Sequence, residues 1–272
     1  MNNRYDNQSN SNNKFIPINN SQERIFKYSS STSLAGLSSI IGGTLMLLSV
    51  ATTLILIRFF LLDFIRSIGN NFTLRLVILI AGLLLMILIS VFQNKFKKAS
   101  MAITIPITIF TFLVFTFMLF YAAAFFVISD SYQQALNGDF DLTKKTLKLA
   151  AILLAPALGI IIFGIFGYFE LINVSFFNLI LIVLTPVVFI LVIVNIFVNS
   201  TTIYSIVTMV FAIYILISSA IQSYMLKNNY RYLTYASDKN EFISTSLFYG
   251  INSFINYIVL VVRLLQMFSQ NN

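Results

Sequence analysis

The feature that most constrains this chain is the recurrence of apolar segments about 20 residues long. Seven such segments follow one another, at approximately 34–57, 74–92, 101–128, 149–168, 171–198, 202–226 and 243–268. About 20 predominantly apolar residues cross a bilayer as an α-helix, and only helices and closed barrels satisfy the backbone in lipid. The alternation of barrel strands is absent. The sequence therefore predicts an all-α membrane protein built as a seven-transmembrane-helix bundle.

Composition excludes several classes of function. Hydrophobic residues make up 58% of the chain and charged residues only 10%, against roughly 25% charged in soluble proteins. There is no Cys and no His, which removes thiolate and imidazole chemistry. The sequence also has no membrane-embedded carboxylate pair and no Gly-rich phosphate-binding loop. We therefore expect no enzyme, no cofactor and no metal site.

Charge patterning predicts the domains and the orientation. The polar segment 1–33 predicts a disordered cytoplasmic tail, and residues 34–268 form the transmembrane domain. With the tail inside, ten basic residues lie on the cytoplasmic side and six outside, with Arg263 inside the last span. The excess predicts a multi-pass plasma-membrane protein with a cytoplasmic N-terminus. The net charge of +8 indicates contact with the lipid bilayer and not with nucleic acid.

Polar residues inside the spans are the candidate functional residues, because each is costly unless it faces the bundle interior or water. Asn252, Asn256 and Arg263 share one face of the last span. In the preceding span, Gln222 ends a series of Ser and Thr residues spaced by three and four or by whole turns. These residues predict either hydrogen bonds between helices or one wall of an ion or solute path.

Three segments resemble the Bax inhibitor family (transmembrane Bax inhibitor motif proteins), including its bacterial members. The stretch from Leu247 to Arg263 contains Phe254-Ile255-Asn256, and Arg263 follows ten residues after Ser253. Upstream, the segments beginning at Gly167 and at Ser219 are similar to the family's pattern in the same order. The resemblance implies a central helix surrounded by the others, and a pH-sensitive calcium leak. An abundance of Asn, Ile, Lys, Phe and Tyr is typical of an A·T-rich bacterial genome.

The sequence departs from the family at its sensor. The resemblance places Gln222 and Ser253 where the family has two proton-sensing aspartates, and neither side chain titrates. The resemblance also implies an acidic partner for Arg263 in the second span. That span, residues 74–92, contains no Asp or Glu. Calcium selectivity is therefore in doubt, because divalent cations prefer several oxygen ligands that include carboxylates.

These observations lead to two functional hypotheses. The first is a passive calcium or other cation leak (an ion channel in the broad sense) with altered or lost pH gating. Its pore and sensor-position candidates are Gln222, Ser253, Asn252, Asn256 and Arg263. The alternative is a non-conducting membrane regulator that binds a membrane protease or another membrane complex. A secondary transporter is less favoured, because inverted repeats are not visible.

Overall fold

The computed structural model describes residues 20–68, 99–135, 142–198, 200–229 and 239–270, and the single positions 77, 80, 84 and 95. The described part of the chain is helical apart from short connections. Its helices are α1 (Asn20–Ile68), α2 (Met101–Ala135), α3 (Leu142–Tyr168), α4 (Val174–Val198), α5 (Thr201–Asn229) and α6 (Lys239–Gln270). Each of the six contains a segment long and apolar enough to cross a membrane. The protein is therefore all-α and has the make-up of a multi-pass membrane protein.

The first helix is longer than the sequence predicted. It begins at Asn20, inside the segment predicted to be disordered, and it continues past residue 57 to Ile68. Extending a formed helix is easy, because each added residue gains a backbone hydrogen bond. The side chain of Arg58 is exposed and can reach lipid head groups. Residues 20–33 are part of α1, and residues 1–19 lie outside the described part of the chain.

Helices α1 and α2 both run parallel to α6. Along α1, Gly42 lies against Gly250, and Ser49 lies beside Tyr257. The same order holds for α2. At its start the Ser244 hydroxyl donates to the carbonyl of Ala99 (2.7 Å), and farther along Phe112 contacts Phe254 with ring centroids 5.7 Å apart.

Because α1 and α2 are parallel, Ile68 and Ala99 lie at opposite ends of the bundle. The span predicted for residues 74–92 falls between them. Apart from Val77, Ile80 and Leu84, it lies outside the described residues. The seventh helix therefore stays a prediction, supported by the positions of the two ends that it would connect.

Helix α6 is the most enclosed part of the bundle. It packs against α1, α2, α3 and α5, most extensively against α1 and α2. Its large buried side chains, Phe254, Tyr257, Ile258 and Leu265, are at most 1% exposed. The hydroxyl of Tyr257 donates to the carbonyl of Leu153 on α3 at 3.1 Å, so the largest of these side chains is also hydrogen-bonded. The core of the protein is therefore organised around its last helix.

Glycines allow two pairs of helices to approach closely. A Cβ atom at Gly250 would lie 2.6 Å from Ile41 Cγ2, where α1 meets α6. A Cβ atom at Gly167 would lie 1.8 Å from the carbonyl oxygen of Ala220, where α3 meets α5. Small residues at such contacts are a common way to pack membrane helices, because backbone approach increases van der Waals contact.

Helix α4 lies at the periphery. It packs chiefly against α5, and none of residues 174–191 is buried. Leu179, Ile182 and Phe189 are each more than half exposed. An apolar segment with no buried residue, as over 174–191, is typical of a surface that meets lipid or another membrane protein.

Candidate functional site

Three of the five predicted site residues come together where α5 meets α6. The side-chain amide of Gln222 donates from Nε2 to Ser253 Oγ and to the carbonyl of Tyr249, both at 3.1 Å. The Asn252 amide donates from Nδ2 to Gln222 Oε1 at 3.2 Å. We call Gln222, Asn252 and Ser253 the polar cluster. It joins the two helices through uncharged groups.

Local helix geometry explains how one side chain reaches all of these partners. Asn252 and Ser253 are successive residues of α6, so their side chains diverge by about 100° and approach Gln222 from two sides. Tyr249 lies one turn earlier in α6, and its carbonyl already accepts the backbone N–H of Ser253. A carbonyl oxygen has two lone pairs and can accept the Gln222 amide as well.

Arg263 faces α5, but it is not part of the polar cluster. It lies ten residues beyond Ser253, or about 15 Å along the helix. Its guanidinium carbon lies 4.4 Å from the ring centroid of Phe211 on α5, a cation–π contact. Beside it, the Tyr204 hydroxyl donates to Gln266 Oε1 and approaches the carbonyl of Arg263 at 3.4 Å. The five predicted residues therefore do not form one group, because Arg263 lies at a different depth from Gln222, Asn252 and Ser253.

Asn256 lies between these two depths and is half-buried. Its amide has no hydrogen-bond partner among the described residues. On the facing helix, Ile215 is 3% exposed, and Thr208 is fully buried with its hydroxyl unpaired within the described part of the chain. The interface of α5 and α6 is thus polar toward both ends and has a buried apolar residue between them.

The Ser and Thr residues predicted on α5 serve different purposes. Ser219 donates to the carbonyl of Ile160 on α3 at 3.0 Å, as expected for a hydrogen bond between helices. Ser205 donates to the carbonyl of Thr201 within α5, also at 3.0 Å. The spacing of these residues was correct, but spacing alone did not distinguish contacts between helices from contacts within one.

A second set of polar contacts, which the sequence did not predict, lies at one end of the bundle. Lys227 Nζ forms an ion pair with Glu170 Oε1 and donates to the carbonyl of Tyr168, both at 3.0 Å. Glu170 follows α3 in a turn and has a positive φ of 59°. These contacts fasten the end of α3 to the end of α5. Their only signal in the sequence is that both charges border apolar spans.

A cavity of about 390 Å³ lies next to the polar cluster. Its walls come from α1 and α3, and its floor comes from α5 and α6. Ser253 belongs to both the floor and the polar cluster. Most of the lining is apolar, with Gly36, Gly43 and Gly164 on the walls and Ser219 and Ser223 on the floor. We call this cavity the α1–α3 groove.

Among the described residues, no three acidic side chains lie close enough together to hold a metal ion. Comparison with protein families, curated proteins and solved structures finds no match to this chain. The fold and site therefore define its class, a multi-pass helical membrane protein with an uncharged polar cluster beside its central helix.

Proposed function

We propose that this protein is a passive leak for small ions, of the Bax inhibitor type, which is closed in the present conformation and has no pH gate. The observation that carries the proposal is the pattern along the α5–α6 interface. The polar cluster lies toward one end, the Tyr204–Gln266 hydrogen bond lies toward the other, and buried Ile215 lies between them. A short apolar constriction can close an ion path by excluding water.

The absence of pH gating follows from the chemistry of the polar cluster. Gln222 and Ser253 hydrogen-bond to one another, and neither exchanges a proton near neutral pH. A pair of carboxylates at these positions would share a proton and respond to pH. We therefore expect flux through the parent protein to change little between about pH 6 and 8.

Selectivity for calcium is not part of the proposal. Arg263 lies on the same interface and forms no ion pair with a described carboxylate. A positive side chain disfavours cations and favours anions in a narrow path. The test of conduction therefore needs chloride beside calcium and potassium.

The experiment measures fluxes of these three ions into liposomes that contain the purified protein, at several pH values. Ile215→Ser should increase flux, because a hydroxyl hydrates the constriction, and Ile213→Ser on the exposed surface of α5 is its control. Gln222→Asp combined with Ser253→Asp should introduce pH dependence. If the parent and Ile215→Ser proteins conduct no ion at any pH, the leak is disproved.

A second function, a non-conducting regulator that binds a membrane protease or another membrane complex, is favoured by α4. This helix contributes no buried residue over 174–191, and the other described helices leave most of its apolar surface exposed to the helices of another protein. The two functions differ in one measurement. A regulator would conduct no ions, whereas substitutions on the outer surface of α4, such as Phe189→Ala, would impair its cellular role without changing its stability.

A further inference from the structure

The α1–α3 groove exists because α1 carries glycine where it faces α3. A Cβ atom added at Gly36 would meet no atom within 4 Å, and one added at Gly43 would meet only Ile161 Cδ1 at 3.8 Å. These positions contrast with Gly42 and Gly250, where the backbones are in contact. The space beside Gly36 and Gly43 is therefore open, and larger side chains could enter it without moving a helix.

The groove has the length and position of a single lipid chain. Along α1 it extends from Ala35 to Met46, roughly 16 Å at about 1.5 Å per residue. That is about half of a hydrocarbon layer of roughly 30 Å. Ile40 lies on its rim and is 66% exposed, so the groove opens sideways to the surroundings of the bundle. Its volume of about 390 Å³ falls within the range of ligand sites, roughly 300–1,000 Å³.

A polar group in the floor indicates which part of a lipid lies there. Ser223 lines the groove and is only 9% exposed, yet its hydroxyl has no hydrogen-bond partner among the described residues. A hydroxyl that faces an apolar groove without a partner is costly once water leaves the groove, so an acceptor supplied by a ligand would stabilise it. Lys227 lies one turn farther along α5, next to Glu170 at the end of the bundle. Ser223 thus lies one helical turn from the end of the bundle that Lys227 and Glu170 form, the depth of a phospholipid ester carbonyl when the head groups align with that end.

We propose that the α1–α3 groove binds one acyl chain of a membrane glycerophospholipid, whose ester carbonyl accepts a hydrogen bond from Ser223. Ser223 lies beside Gly164, about midway along the groove, so the chain continues from the ester past Gly43 toward Met46, and the glycerol backbone lies toward Gly36. Glu170 already neutralises Lys227, so binding depends on the chain and its ester and not on the charge of the head group. The proposal does not rest on the proposed leak, because lipid retention is measured without ion flux, although Ser253 belongs to both the groove and the polar cluster.

The test counts the lipids retained by the full-length protein in mild detergent, by native mass spectrometry. Three lipids with equal chains are added separately: diester phosphatidylcholine, diester phosphatidylglycerol and diether phosphatidylcholine. The parent should retain one molecule of either diester lipid. Gly36→Leu combined with Gly43→Leu fills the groove and should weaken retention about fivefold or more, a change of roughly 1 kcal/mol. Ser223→Ala should remove the preference for diester over diether lipid.

The matched control is Ala51→Leu, which enlarges an exposed residue of α1 outside the groove and should retain lipid like the parent. Thermal unfolding shows whether each variant is folded. If the double variant is not folded, Gly36→Leu alone replaces it, since no atom lies near its added Cβ. Equal retention by folded parent and groove-filled proteins overturns the proposal. Absence of retained lipid in the parent, or retention that follows head-group charge, also overturns it.

Discussion

At the scale of single residues, the polar cluster depends on one side chain. Gln222 supplies both donor and acceptor for its contacts with α6, whereas Asn252 and Ser253 each share one hydrogen bond with it. An amide can do this because it carries two N–H donors and a carbonyl acceptor. Loss of Gln222 therefore leaves several groups unpaired at once.

Replacement of Gln222 by Leu should lower the free energy of unfolding by about 1 kcal/mol, since hydrogen bonds between membrane helices contribute roughly 0.6 and at most about 1.7 kcal/mol. Thermal unfolding in detergent measures the effect. Asn178→Leu is the control, because Asn178 is exposed on peripheral α4. Equal melting of the Gln222→Leu and parent proteins would show that the cluster does not hold α5 to α6.

Arg263 should contribute to stability through its contact with Phe211. Arg263→Ala removes a cation–π pair and should cost about 1 kcal/mol, whereas Arg263→Lys keeps the charge but loses the planar group and should cost less. Arg58→Ala, at an exposed position of α1, should have almost no effect. If both Arg263 variants melt like the parent, Arg263 only reaches toward the membrane surface.

At the scale of helices, packing is determined by where backbones can meet. Helix α3 touches α5 at Gly167, and α1 touches α6 at Gly42 and Gly250. Gly36 belongs to the same helix as Gly42 but faces open space. Glycine content by itself therefore does not reveal which positions are contacts, because only the partner helix distinguishes them.

Gly167→Ala should destabilise the protein by about 1–3 kcal/mol, the usual cost of overpacking, because its methyl group would overlap the backbone of Ala220. Gly36→Ala is the matched control. It should be neutral or stabilising by up to about 1 kcal/mol, since alanine favours helix and no atom obstructs it. Chemical or thermal unfolding of both variants tests the pair. A Gly167→Ala protein as stable as Gly36→Ala would contradict the described contact.

At the scale of the whole molecule, connectivity places two short connections at opposite ends of the bundle. Asn173 lies between α3 and α4, on the same end as Lys227 and Glu170, and Ser200 lies between α4 and α5 at the other end. The excess of basic residues predicts that the first of these ends is cytoplasmic. The labelling of single cysteines tests this orientation.

Because the chain has no Cys, single cysteines can report this orientation. In intact cells an impermeant thiol reagent should label Ser200→Cys and should not label Asn173→Cys. Both variants should react after permeabilisation, which controls for the accessibility of each thiol. Labelling of Asn173→Cys alone in intact cells would reverse the predicted topology.

The membrane class and most of the helices could be read from the sequence. Runs of apolar residues have no stable alternative to helix in lipid, so α2 to α6 lie close to their predicted spans. The polar residues of α6 were likewise found from spacing, because residues on one face recur at helical intervals. The start of α1 was not predicted, since residues 20–33 have no apolar pattern. They extend the helix of the apolar segment that follows them in the chain.

Only the tertiary structure decided which polar residues meet. Gln222 and Ser253 are 31 positions apart, and their contact depends on how two antiparallel helices align. The same alignment separates Arg263 from the polar cluster and places it over Phe211, although the sequence had grouped them on one face. The α1–α3 groove could not be predicted from the sequence either, because an open space between helices depends on how they pack together. The periodicity of a helix is local and can be read from the chain, whereas depth, partner and empty space are set by packing between helices.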